Sequence, residues 1–416
     1  MEPNRLGAKE AAALIERGEL TAQALVRSCL DRIAAREPEV RAWTFLQEDL
    51  ALSQASAARG PLRGVPVGVK DIFDTHDMPT QYGSPIYAGH RPRADCAPVA
   101  HTRAAGGVIL GKTVTAEFAT FVPGKTRNPH NLDYSPGGSS SGSAAAVADF
   151  MVPLSFGTQT AGSVIRPGSY CGVIAYKPTY NTLPRAGVKA NADSLDTVGV
   201  YARSVPDVAF FMSALTGRTD LGKPVDRPRI GMCRTWEWDR VKPEMASAFE
   251  QAMKRLDAPE VRLPDSFKGL RAAHSTVLWF EGARCLADEY RRFPELLDPA
   301  LRKRCEDGYA IEWREYAAAM QLALRSRCSL NDAFGDYDVL LAPAATGEAP
   351  LGLASTGDVS MNVVWTLLHV PCVSVPAGKS PGGLPLGLQV IGRIGDDART
   401  LACAQWIHSK LKEAAV

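Results

Sequence analysis

Three short apolar runs, residues 63–69 (RGVPVGV), 106–111 (GGVILG) and 152–157 (VPLSFG), are separated by stretches of helical character at 96–105 and 143–150. A run of four to eight apolar and β-branched residues bounded by turn formers reads as a buried strand. Strands that alternate with helices imply an α/β sheet covered by helices on both faces. The pattern returns late in the chain, with strand-like sequence at 338–342, 371–376 and 384–392 and a closing helix from about 396. The final third is therefore expected to rejoin the first sheet. The first 60 residues read as helical: Thr21 is a candidate N-cap, and Val26, Cys29, Leu30 and Ile33 fall on one face of a helix.

These segments divide the chain into N-terminal helices (1–60), a core (61–215), a candidate insertion (216–335) and a C-terminal return (336–416). The insertion opens on the Gly-, Pro- and charge-rich stretch 216–229 and is Arg-rich and helical beyond it. The 45% apolar content of the 416 residues is ample for a large core, and length alone does not settle how many domains they form. Lys plus Arg number 47 against 45 Asp plus Glu, so the net charge of +2 gives no general pull toward nucleic acid or an anionic membrane. The nine cysteines contain no C-x-x-C pair, which argues against structural zinc and a disulfide scaffold. No signal-like apolar stretch occupies residues 1–20. The longest apolar run, Ala144 to Gly157, is broken by Asp149 and Pro153 and is too short to span a bilayer, so a cytoplasmic location is expected.

The most unusual composition is 135–143, SPGGSSSGS, directly before the helix-forming AAAVA. Glycines let backbone N–H groups approach a ligand, and a helix start favours negative charge, so such a loop suits an anion or oxyanion. A second stretch, 157–168 (GTQTAGSVIRPG), places Thr160, Ala161, Gly162 and Ser163 in a run of small residues. Their N–H groups could converge beside the Ser163 hydroxyl. A nucleophilic serine needs a base, and none of the seven histidines (76, 90, 101, 130, 274, 369, 408) sits in a recognisable triad context. Lys70 is the alternative, since it ends the strand GVPVGVK, where burial would favour the neutral amine. An ordinary lysine is neutral in only about one molecule in 2,500 at pH 7, so activation must offset roughly 4–5 kcal/mol.

Taken together and in this order, the three pieces resemble the amidase signature family, whose members hydrolyse amides with a Ser, cis-Ser, Lys triad. The matching segments are 64–72 (GVPVGVKDI), 136–145 (PGGSSSGSAA) and 157–179 (GTQTAGSVIRPGSYCGVIAYKPT), and the likeness continues through 111–118 and 383–392. The resemblance implies that Ser163 is the nucleophile, Ser139 the bridging serine after a cis Gly138–Ser139 peptide, and Lys70 the terminal base. It implies one large α/β/α domain around a central mixed, twisted sheet covered by helices on both faces, an oxyanion hole among Thr160, Ala161, Gly162 and Ser163, no metal, and no organic cofactor. The TQTAGSVIRP segment and the length are most like bacterial malonamidase-type enzymes, in which the arginine matching Arg166 holds a substrate carboxylate. A structural ion pair is the competing reading of Arg166. Gln159, Gly138 and Tyr134 are candidate pocket residues on position.

The expected reaction is hydrolysis of a carboxamide through a Ser163 acyl-enzyme, on small acidic amides such as malonamate. Aryl amides or carbamates and urea derivatives are an alternative substrate class for the same triad. Family members also serve as the amidase subunit of amidotransferases, which is the alternative to a free-standing enzyme, expected here as a homodimer. Two rival motifs compete. Residues 106–113, GGVILGKT, fit the phosphate-loop pattern, although Val108, Ile109 and Leu110 want a buried strand. Residues 138–142, GSSSG, fit G-x-S-x-G and would make Ser140 a nucleophile.

Overall fold

In the computed structural model, which describes residues 2–413, the core segments lie in one sheet of eleven strands among the described residues. They are β1 (Trp43–Leu46), β2 (Pro66–Lys70), β3 (Val108–Thr113), β4 (Leu154–Gln159), β5 (Ile174–Lys177), β6 (Thr197–Ala202), β7 (Ile230–Cys233), β8 (Glu260–Val261), β9 (Val339–Pro343), β10 (Cys372–Lys379) and β11 (Pro385–Ile391). Their spatial order is β1-β3-β2-β4-β6-β5-β10-β11-β9-β7-β8. The sheet is mixed. Strand β2 runs parallel to β3 and β4, the strands from β4 through β6, β5, β10 and β11 to β9 are antiparallel neighbours, and β7 runs parallel to β9 and β8. Helices cover both faces, which makes the chain a single α/β domain of the expected class.

The expected strands form with boundaries displaced by a few residues, and the displacement has local causes. Arg63 and Gly64 have φ of 48° and 83°, a turn that delays β2 until Pro66. Every residue of β2, β3 and β4 is buried, which explains why their first halves are largely apolar, while the polar residues they carry, Lys70, Lys112, Thr113, Ser155, Thr158 and Gln159, are turned inside the fold. Thr21 caps the helix Ala22–Val40 by accepting from Ala24 N, and Val26, Cys29, Leu30 and Ile33 are buried on its inner face.

Two expectations need correction. The first 60 residues are not wholly helical, because β1 pairs antiparallel with β3 at the sheet edge. The segment 216–335 is not wholly helical either: it contributes β7 and β8, which extend the sheet beyond β9, before the helices Leu270–Cys285, Pro299–Ala310 and Trp313–Cys328. Strands of two to four residues carry too little periodicity to stand out from a helical surround. The helices Leu270–Cys285 and Trp313–Cys328 pack over a second apolar core that includes Leu270, Val277, Phe334, Leu340 and Trp365, while Leu301 and Cys305 of the helix Pro299–Ala310 belong to the first.

Candidate active site

Lys70 closes β2 with its side chain wholly buried, and its Nζ donates to Ser139 Oγ and Thr158 Oγ1, each at 2.8 Å. Burial draws its pKa down to about 7, against the pull of the Asp196 carboxylate. Thr158 stands on β4, one strand over, so two adjacent parallel strands fix the ammonium between two hydroxyls. Ser139 enters from the loop before the helix Ser141–Ala148, its carbonyl accepting from Ala116 N at 3.0 Å, and the Gly138–Ser139 peptide is cis. Ser140 is buried, exchanging 3.3 Å hydrogen bonds with the Thr158 backbone on β4. That placement does not suit the nucleophile of the G-x-S-x-G reading.

Ser163 follows β4 and lines a pocket of about 340 Å³ together with Phe121, Arg166, His274, Trp279 and Arg304. The carbonyls of this loop, Ser163 included, are each engaged by the surrounding protein. His274 Nε2 lies 2.8 Å from Thr160 O, Thr366 Oγ1 donates to Ala161 O at 2.6 Å, Arg166 N to Gly162 O at 3.0 Å, and Tyr201 OH to Ser163 O at 3.1 Å. The N–H groups of Ala161, Gly162 and Ser163 have no acceptor among the described residues. Anchored carbonyls with free N–H groups are the arrangement that stabilises an oxyanion. Gly162 leaves room for Asn362, since a Cβ there would lie 2.4 Å from Asn362 Oδ1.

Thr160 Oγ1 donates to Asp196 Oδ1 at 2.5 Å, and Asp196 Oδ2 accepts from Asn191 N and Ala192 N at 2.7 and 3.1 Å. Burial raises the Asp196 pKa, opposed by these hydrogen bonds. Burial lowers that of His274 to about 4, so the imidazole is neutral. Because a carbonyl can only accept, Nε2 carries its proton. His274 thus holds the loop as a donor and is not a base for Ser163.

The geometry joins Lys70 to Ser139 and places Ser163 at the pocket wall, but no hydrogen bond links the Ser139 and Ser163 hydroxyls. Such links are often long without substrate and tighten in the complex. Arg166 is buried, its Nη2 donating to Gly138 O at 2.7 Å and Thr356 Oγ1 at 3.2 Å, while Nε and Nη1 have no partner. No carboxylate among the described residues pairs with it, so the ion-pair reading of Arg166 falls away.

Two position-based candidates are corrected. Gln159 is turned into the scaffold: its Oε1 accepts from Val164 N and Ile165 N at 2.9 and 3.0 Å, and its Nε2 donates to Thr366 Oγ1 at 2.9 Å. With these groups engaged, it shapes the Ser163 turn and is not available to a ligand. Tyr134 packs beside Tyr170, Ala345, Ala349 and Leu384 in a separate apolar cluster, outside the pocket lining. Gly138 meets the site through its backbone, as the acceptor for Arg166. His76, Asp77 and Asp95 bring potential metal ligands within 4.8 Å of one another, yet Arg103 binds both carboxylates and none of the three lines the pocket. Thr158, Asp196, Asn191, His274 and Arg304 escape the sequence reading. Thr158 sits unremarked inside the 157–168 segment, and the others come from 191–196 and from two distant helices, with no shared local motif.

Fold and site together define the class, an enzyme that cleaves amide C–N bonds. The chain belongs to the amidase family, whose sequence profile, described as Amidase, matches residues 24–401. The A component of the glutamyl-tRNA(Gln) amidotransferase of Acidothermus cellulolyticus is 35% identical, with 98% of this chain and 95% of that protein covered. Among solved structures, a crystal structure of an amidase superposes with a TM-score of 0.90 at 29% identity, covering 97% of this chain and all of the other. A protein from a vestigial complex that reveals the evolutionary origins of an s-triazine catabolic enzyme has a TM-score of 0.90 at 28% identity, covering 99% of both chains.

Proposed function

We propose that the chain hydrolyses a small carboxamide bearing an acidic group, malonamate being the simplest example, through an acyl-enzyme on Ser163. The observation that carries this reading is the buried 2.8 Å contact between Lys70 Nζ and Ser139 Oγ beside the pocket that Ser163 lines. With its pKa near 7, a large fraction of Lys70 is neutral and able to take a proton. Thr158 Oγ1 accepts one of its N–H groups, which helps aim the amine lone pair at Ser139. Ser139 passes its proton to Lys70 while taking that of Ser163, and Ser163 Oγ attacks the carbonyl carbon. The N–H groups of Ala161, Gly162 and Ser163 meet the oxyanion. Collapse of the tetrahedral intermediate breaks the C–N bond as Ser139 returns the proton to the leaving nitrogen. Water then attacks the acyl-enzyme by the reverse relay, releasing the carboxylate. Arg166, with two unpartnered nitrogens and no carboxylate within ion-pair distance among the described residues, supports a substrate carboxylate at that wall.

A second reading, the amidase component of an amidotransferase, is favoured by the near full-length similarity to such components. It uses the same chemistry and differs in needing a partner. Purified protein incubated with malonamate, neutral aliphatic amides, aryl amides and aryl carbamates, beside a Ser163→Ala control, tests the first reading through ammonia or amine release. Ser163-dependent release from malonamate by the isolated protein supports it. Release only with a copurifying partner moves the function to the amidotransferase reading, and release mainly from aryl substrates moves it to a broad amidase or carbamate hydrolase.

A further inference from the structure

Arg304 lies on the helix Pro299–Ala310, far in sequence from the Lys70, Ser139 and Ser163 segments, yet lines the same pocket as Ser163 and Arg166. It is 4% exposed. Its Nη2 donates to Asn191 Oδ1 at 2.7 Å and Leu278 O at 3.3 Å, Nε is buried without a partner, and Nη1 has no hydrogen bond among the described residues. No carboxylate pairs with it there. The other charged groups of the pocket wall are already satisfied, Arg271 by Glu237 at 2.6 Å and Asp358 by Arg240 at 3.1 Å. Neither buried guanidinium, Arg166 or Arg304, therefore has a carboxylate within ion-pair distance among the described residues; Asp358 and Asp196 act on them only from further off.

The surroundings of Arg304 are built to keep it in place. Gly282, on the neighbouring helix Leu270–Cys285, sits so close that a Cβ would lie 1.9 Å from Arg304 Nη2. Asn191 turns its Oδ1 to Arg304 and its Nδ2 to Thr160 Oγ1 at 3.3 Å, which ties the guanidinium to the loop before Ser163. An unpaired buried charge is costly unless something compensates it, and a ligand anion is the group that fits the remaining donors of a guanidinium.

We propose that Arg304 is a specificity-determining residue that binds a second carboxylate of the substrate, so that the pocket takes the monoamide of an acid retaining two carboxylates, one at Arg166 and one at Arg304. This rests on the reading that the pocket beside Ser163 receives the substrate. It goes beyond that reading because malonamate carries one carboxylate only.

The test measures binding without turnover. Full-length Ser163→Ala protein is titrated by calorimetry with malonate, succinate, glutarate and tricarballylate, and with glutaramide as a neutral control. Tricarballylate or the best dicarboxylate is expected to bind, with Arg304→Gln weakening it roughly 30-fold or more. Arg304→Lys, which keeps the charge, should restore part of the affinity, and glutaramide affinity should not respond to either variant. Gly282→Ala, which leaves Arg304 in the chain but crowds its guanidinium, should weaken the same anions and serves if Arg304→Gln does not fold. Equal effects on anions and glutaramide, no effect of Arg304→Gln or Gly282→Ala, or no anion binding by the parent would each overturn the assignment. Failure of the amide-hydrolysis reading registers separately, as absence of Ser163-dependent ammonia release.

Discussion

Lys70 Nζ lies 2.8 Å from Ser139 Oγ with both side chains closed off from solvent. Removing water from around the ammonium favours the neutral amine, and among the described residues two hydroxyl oxygens are its hydrogen-bond acceptors. A lysine so placed is held by geometry yet left uncommitted in charge. That combination suits a proton carrier better than a structural cation, which would be paired to a carboxylate.

The first prediction is the hierarchy of losses on removing the three groups. Ser163→Ala should abolish hydrolysis, Lys70→Ala should lower kcat by about 10²–10⁴-fold, and Ser139→Ala should leave a small residue of activity. Steady-state ammonia release measures all three. Wild-type rates in Lys70→Ala would remove the lysine from the mechanism.

The second concerns pH. Below pH 7 Lys70 gains a proton and can no longer accept one, so kcat/KM should fall about tenfold per pH unit on the acid side of a limb centred near the Lys70 pKa of about 7. The Asp196 carboxylate raises that pKa, so Asp196→Asn should move the limb to lower pH. A limb that stays in place in Asp196→Asn, or moves up, contradicts the electrostatic link.

The third addresses Arg166. With its Nε and Nη1 unpartnered at the pocket wall, Arg166→Met should reduce malonamate turnover far more than turnover of a neutral amide. The loss should appear chiefly in KM, since the contact is to a group that does not react. Equal losses on both substrates would make Arg166 a support for the Gly138 carbonyl and nothing more.

The fourth concerns Gly162. A methyl group there would meet Asn362 Oδ1 at 2.4 Å, and Asn362 is itself tied through Nδ2 to Ala344 O at 3.0 Å. Either Asn362 gives up its bond to Ala344 or the loop shifts, and a shift of the loop takes the Ala161, Gly162 and Ser163 N–H groups out of line. Gly162→Ala should lower kcat by roughly 10²–10³-fold, the scale of losing an oxyanion donor. An unchanged kcat would mean that Asn362 gives way instead or that the oxyanion donors lie elsewhere.

What the sequence makes legible follows physical locality. Lys70, Ser139 and Ser163 lie in glycine- and serine-rich loops or at the end of an apolar strand, where composition itself signals close backbone approach. The edge strand β8 spans only two residues, and β7 four, so neither leaves a period to read. Thr158, Asp196, Asn191, His274 and Arg304 each reach the site through at least one contact spanning 31 to 114 residues, such as Asn191 to Thr160 and His274 to Thr160, which no local pattern encodes. Gln159 is misread for the same reason: its neighbours in sequence suggest a pocket, while its partner Thr366 is 207 residues away.

The last prediction uses Lys112, the lysine of the phosphate-loop-like GGVILGKT. It is fully buried on β3, where Nζ lies 3.1 Å from Asp71 Oδ1 and donates to Thr80 Oγ1 at 2.6 Å and Phe73 O at 2.9 Å. All of its donors are spent inside the fold, and none is left for a nucleotide. Burial pushes the Asp71 pKa up and that of Lys112 down, and each opposes the other's shift through their mutual attraction. Removing one partner strands the other, so Lys112→Met should destabilise the fold by about 3–5 kcal/mol, the usual cost of an uncompensated buried charge. Lys70→Met, by contrast, removes a cation that has no carboxylate partner within ion-pair distance among the described residues, and should cost far less. Urea unfolding of the two variants checks the contrast. If both lose the same stability, Lys70 is as structural as Lys112, and its unpaired burial would have to be explained without the proton relay.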